Sequence, residues 1–126
     1  MSNKMSKTKQ MALYAVMALT TLAFAGAGVM KLMGTPELHA SFTAMKLPVW
    51  FGYFIGAAEL AGAIAIWFKR TAIYAAIGLA IIMLGAVYFH LVYTPVVAAI
   101  PALVLLVFAA VIALSKRSQA QLSQIV

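Results

Sequence analysis

The 126-residue chain contains no cysteine and no aspartate, and its only acids are Glu37 and Glu59. Without cysteine there is no disulfide exchange, no thiolate metal ligand and no thiol nucleophile. Any redox chemistry must then run on a cofactor or through a partner. Without aspartate there is no Ser-His-Asp set, and no glycine-rich phosphate loop appears. Long polar stretches are missing too, and charged residues make up only 9% of the chain. No soluble catalytic domain fits these limits, no catalytic residue is assigned, and the chain alone is not expected to be an enzyme.

What is present is mostly apolar, at 66% of residues. A soluble domain of this size has nowhere to bury so much apolar surface. The expectation is a single integral membrane domain over residues 1–126, in contact with the lipid bilayer. Crossing a bilayer takes about 20 apolar residues per helix, which gives spans at about 11–33, 48–68, 72–93 and 95–114. Lipid-exposed backbone must satisfy its own hydrogen bonds, and the apolar runs lack the period-two alternation of barrel strands. The predicted fold class is therefore all-α, a four-transmembrane-helix bundle. Residues 1–10 and 118–126 read as short, mobile polar tails. Gly34 to Leu47 is the longest connection, with a short interfacial helix expected from Glu37 to Met45.

A net charge of +7 raises the question of nucleic acid, but the basic residues sit at span ends and line no exposed face. They serve instead as topological signals. Lys4, Lys7 and Lys9 precede the first span, Lys69 and Arg70 form the second connection, and Lys116 and Arg117 follow the fourth span. The other side carries only Lys31 and Lys46. By the positive-inside rule both termini are cytoplasmic, in a multi-pass membrane protein. Trp50, Phe51, Tyr53, Tyr88, Phe89 and Tyr93 then mark the outer interface, and Tyr14, Trp67, Phe68 and Tyr74 the inner one. The three lysines, the apolar run and Ala23-Phe24-Ala25 together resemble a cleavable signal peptide. The run continues to Met33, however, so the segment is expected to be retained as a span.

Glu59 stands near the middle of the second span, where a charge costs roughly 3 kcal/mol on insertion scales. Helical spacing puts Gly52, Gly56, Glu59, Ala63 and Trp67 on one face. The spacing of Gly52 and Gly56 admits a close neighbouring backbone, so this face points at other helices. Gly62 and Gly85 are read as further packing positions. Lys31 and His90, near the outer ends of spans one and three, are the candidate partners, and the three residues form one predicted polar cluster. At 1.5 Å per residue Glu59 lies roughly 16 Å below the start of its span, against about 5 Å for Lys31 and His90. Contact therefore requires offset or tilted spans, or a Lys31 that reaches inward.

Several readings of the cluster stay open. The contact fixes helix register and nothing more, or it anchors an amphipathic ligand in a cavity, or it carries protons or ions. His39, His90, Glu37 and Glu59 show no metal-ligand spacing on one helix, so no metal site is assigned. The eight methionines read as packing residues. Gly26-Ala27 with Lys31-Leu32 repeats as Gly85-Ala86 with His90-Leu91, a match that chance explains as well as duplication does.

Three ordered segments carry a family resemblance. Ala25-Gly26-Ala27-Gly28-Val29-Met30-Lys31-Leu32-Met33-Gly34 resembles the end of the first helix in the DoxX-like family. Leu47-Pro48-Val49-Trp50-Phe51-Gly52-Tyr53, with Gly56, Glu59-Leu60 and Gly62-Ala63, resembles its second helix. Gly85-Ala86-Val87-Tyr88-Phe89-His90-Leu91 resembles its third, while the fourth span matches in hydrophobicity alone. The resemblance implies a four-helix inner-membrane protein with Lys31, Glu59 and His90 on the polar positions of the family pattern. The wider family includes a membrane subunit of a thiosulfate:quinone oxidoreductase, relatives linked to redox or oxidative-stress enzymes, and a eukaryotic chaperone for membrane receptors. The missing cysteine excludes a dithiol role.

The leading expectation is an accessory or membrane subunit of a quinone-linked redox system, with a redox enzyme as partner. Lys31 or His90 would meet a quinone carbonyl, Glu59 would manage the coupled proton, and Trp50, Tyr53 and Tyr88 would line the cavity. The alternatives are a scaffold or chaperone that binds partner helices through its small-residue faces, and a small transporter. Self-association is left open.

Overall fold

The computed structural model describes residues 5–125; Lys4, in the N-terminal basic group, and Val126 lie outside them. Helix α1, Lys7–Leu32, starts where Ser6 Oγ accepts the Lys9 backbone N–H at 3.2 Å, an ordinary N-cap. Its end is turned by Gly34, whose φ of +78° suits a residue without Cβ. Helix α2, Pro36–Ala44, opens on a proline whose missing N–H costs nothing there. It closes at Lys46, whose φ of 61° is the sole positive value outside glycine among the described residues.

Helix α3, Val49–Ala65, follows Pro48 and has 17 residues. It stops short of the expected Phe68, because residues 66–71 form the turn into α4, where Thr71 Oγ1 donates to the Ala65 carbonyl at 2.8 Å. Helix α4 runs Ala72–Tyr93, and after Pro95 a short 3-10 helix, Val96–Ala99, leads into α5, Ile100–Ile125. The tails predicted to be mobile are partly helical: Lys7–Gln10 belong to α1 and residues 118–125 to α5. Lys, Gln, Ala and Leu are good helix formers, so each helix runs on past its apolar stretch.

Among the described residues the chain is all-α, with five α-helices and no strand. Lys7–Leu32, Ala72–Tyr93 and Val96–Leu122 are long and apolar enough to cross a membrane, whereas Val49–Ala65 is shorter. Helix α1 packs on α3 and α4 on α5, with lighter contact between α3 and α4 and between α1 and α5. Met17, Phe24, Ile66, Leu79 and Ile112 are the largest apolar side chains fully enclosed between them.

Glycine sets the α1–α3 contact. A Cβ on Gly28 would stand 2.7 Å from the Gly56 carbonyl oxygen and 2.9 Å from the Leu60 nitrogen. A Cβ on Gly56 would meet Lys31 Cβ at 2.7 Å. The helices are antiparallel, and deeper along the seam Thr21 Oγ1 donates to the Ala63 carbonyl at 2.8 Å. The same hydroxyl accepts the Trp67 indole N–H at 2.8 Å, and Tyr14 stacks on that ring. Gly28 therefore fixes the separation of the two helices, and Thr21 fixes their register.

Gly28→Leu must push backbone against backbone, with an expected loss of at least ~2 kcal/mol. Gly26 has nothing within 4 Å of its Cβ position, so Gly26→Leu should melt like the parent. Thermal unfolding in detergent checks both; equal melting of the two variants would remove Gly28 from its role.

Candidate functional site

The site is built where α1 ends. Gly56 faces Gly28 and the Lys31 backbone, so the last turn of α1 sits against the middle of α3. The first seven residues of α3 rise about 10 Å beyond that level at 1.5 Å per residue. Helix α2 fills the step. His39 Nε2 donates to the Lys31 carbonyl at 2.8 Å, and the His39 ring lies where any side chain on Gly52 would have to go. Tyr53 packs on the other side of that ring, with centroids 4.6 Å apart.

With the helices so offset, Lys31 reaches inward to Glu59. Its Nζ donates to Glu59 Oε1 at 2.7 Å, and the side chains are 12% and 2% exposed. Each charge is thus met by an opposite one where water is scarce, which is the condition for keeping either there. Oε2 takes no hydrogen bond from any described residue and is not fully enclosed. Lys31 and Glu59 both line a cavity of about 720 Å³.

The cavity lies between α2, α3 and α4. Phe51, Ile55 and Glu59, one helical turn apart, form the α3 wall. From α4 come Met83, Gly85, Tyr88, Phe89 and His90, and from α2 Leu38, Ser41 and Phe42, with Met45 just after it. Thr94 Oγ1 donates to the His90 carbonyl at 2.8 Å, so it accepts from the ring Nδ1, 3.1 Å away. A neutral His90 then has Nε2 as its acceptor nitrogen.

The predicted residues are therefore sorted. Lys31 and Glu59 are in direct contact, and His90 shares their cavity while bonding to Thr94. Tyr88 is on the wall. Trp50 and Tyr53 are not, because helical rotation turns them away from the Phe51–Ile55–Glu59 face, and Phe51 and Phe89 stand on the wall instead. Gly52, Gly56 and Gly62 each face a packed neighbour, the last one Leu79 of α4. Gly85 faces nothing within 4 Å and is no packing contact: it sits on the cavity side of α4. Sequence reasoning passed over α2 as a wall and His39 as its fastening, although Leu38, Phe42 and Met45 already fall at helical spacing.

An all-α membrane protein with a buried ion pair beside an apolar cavity is the class these features define. Residues 15–112 match the DoxX-like family, and the chain belongs to it. No curated protein and no solved structure matches the chain.

Removing one partner of a buried pair strands the other charge. Lys31→Met and Glu59→Leu should each cost about 3 kcal/mol, and the double variant should return to within about 1 kcal/mol of the parent. A double-mutant cycle of unfolding free energies measures this; additive losses would mean that the two side chains do not couple.

Proposed function

We propose that this DoxX-like protein is a four-helix transmembrane subunit of the inner membrane that binds a quinone-type ligand at Lys31 and Glu59 for a redox enzyme partner. The observation that carries the reading is the place of the ion pair: on the wall of an apolar cavity, with Oε2 free of any hydrogen bond from the described residues. A pair needed only for register would be expected to be enclosed on every side. The antiparallel order of helices favours both termini on one side, since Lys7, Lys9, Lys69, Arg70, Lys116 and Arg117 then share the end away from α2.

The residues fit such a ligand. The cavity's volume falls in the usual range for small-molecule sites, roughly 300–1,000 Å³, and it is mainly apolar with a few convergent polar groups. Phe51, Tyr88 and Phe89 offer flat faces to a ring, and Lys31 Nζ has donors beyond the one given to Glu59. A quinone when bound would supply two-electron, two-proton chemistry, with the electrons coming from the partner. The chain's own part is to bind and to hold protons. Lys31 presents a cationic N–H donor to a carbonyl oxygen. Glu59 offers Oε2 as a proton acceptor, and His90 Nε2 offers a second on the opposite wall. Helix α2, fastened by His39, keeps water from that side. The scaffold alternative has less support, because Gly52 and Gly56 already face α2 and α1 of the same chain.

Mass spectrometry of the organic extract from gently purified protein tests the reading. A quinone should be enriched over its share of the membrane. Glu59→Gln, which keeps shape and a hydrogen bond to Lys31, should lower retention by about tenfold without unfolding the protein. Trp50→Ala, off the wall, should retain as the parent does. Recovery of bulk phospholipid alone, in parent and variant alike, would sink the proposal.

A further inference from the structure

Helices α3 and α4 are consecutive, yet they are not packed along their length. They meet closely where Leu79 covers Gly62, a Cβ on which would lie 2.8 Å from Leu79 Cδ2. Beside that contact is a second hollow of about 540 Å³, lined by Ala58, Ala61, Ala65, Tyr74, Ala75 and Gly78 among others. Ile55, Ile81 and Ile82 line both this hollow and the cavity at Glu59. The two are consecutive stretches of one groove, polar at the α2 end and apolar toward the 66–71 turn.

Two glycines keep the groove open. Gly85 stands on its upper wall and Gly78 on its lower one, seven residues and so two turns apart on the same face of α4. Neither has a neighbour within 4 Å of its Cβ position. Glycine in a helix interior costs ~1 kcal/mol against alanine, and here no packed neighbour requires it. The space left by the missing side chains belongs to the groove.

We infer that the groove between α3 and α4 holds the single hydrocarbon chain of a neutral-headed amphipathic lipid, its head at Lys31 and Glu59, entering sideways from the bilayer. This rests on the reading of the cavity as a ligand site and adds what the ligand must be. The head at Lys31 and Glu59 is neutral because those two charges already meet each other, and the other acid on the lining, Glu37, is exposed. A phosphate there would face a free carboxylate oxygen. The tail is one chain because the lower groove is too small for more. A partner helix ~10 Å across would need several times this volume along its length, and it would bring nothing to the polar end.

The test uses two benzoquinones, one with a single prenyl unit and one with a long polyprenyl tail. Each is bound to detergent-solubilised, immobilised protein at fixed detergent, so that micelle partition cancels between variants. Gly78→Leu fills the lower groove where the backbone already has room, and Ala61→Leu fills it from α3. Both should weaken the long-tailed quinone by about tenfold and leave the short one within about twofold. Gly26→Leu, the same substitution away from the groove, should change neither. If the groove variants leave long-tailed binding unchanged, or weaken both quinones equally, the tail is not between α3 and α4 and this inference fails alone. If the parent binds neither quinone, the ligand reading of the cavity fails and takes the inference with it.

Discussion

A carboxylate in the middle of an apolar helix is tolerable when an opposite charge stands beside it, and most of this architecture can be traced from that demand. Among the described residues Lys31 is the only basic one in contact with Glu59, and its stem has a limited reach. The end of α1 must therefore lie beside the middle of α3. Gly28 and Gly56 allow that approach, each leaving room for the other's backbone. The resulting offset leaves the first turns of α3 without α1, and α2 occupies the gap, held by His39 on the Lys31 carbonyl. One ion pair thus links a lysine, two glycines, a histidine and a nine-residue helix.

The pair is also neutral as a unit, and that shapes what its cavity can accept. Breaking into a buried pair is costly, so a ligand must add to the contacts of Lys31 and Glu59 and not replace them. Lys31 has N–H donors to spare, and Oε2 is uncommitted. An uncharged group with an acceptor, or one that exchanges a proton, meets those terms. An anionic group would meet the carboxylates of Glu59 and Glu37 on the same lining, with the charge of Lys31 already matched.

The all-α class and the short helix after Gly34 were legible because long apolar runs and proline-started amphipathic segments have few alternatives. The burial of Glu59 was legible from the glycines on its face. Its distance to Lys31 was not. Equal starting levels put the two at different depths, and only the packing of Gly28 on Gly56 reveals the offset that removes the difference. The walls of the cavity were half legible. Tyr88 stands on the wall, but helical rotation carries Trp50 and Tyr53 off it, and Phe51, read only as an interface aromatic, takes their place. The length of α3 was obscured by Ile66, Trp67 and Phe68, which are apolar but belong to a turn closed by Thr71.

Glycine shows why residue type alone could not finish the assignment. Gly28, Gly52, Gly56 and Gly62 each face a packed neighbour, whereas Gly26, Gly78 and Gly85 face open space. In sequence the two groups look alike: Gly85 reads as a packing position together with Gly52, Gly56 and Gly62. In the fold, the first group is used up inside the chain, which leaves a partner helix little to dock on at α3. The second group divides again: Gly26 lies off the groove, while Gly78 and Gly85 lie along it. Space retained beside a buried carboxylate, at the cost of helix stability, is better accounted for by an occupant than by packing. The balance between a scaffold and a ligand-binding protein therefore turns on where glycines meet nothing.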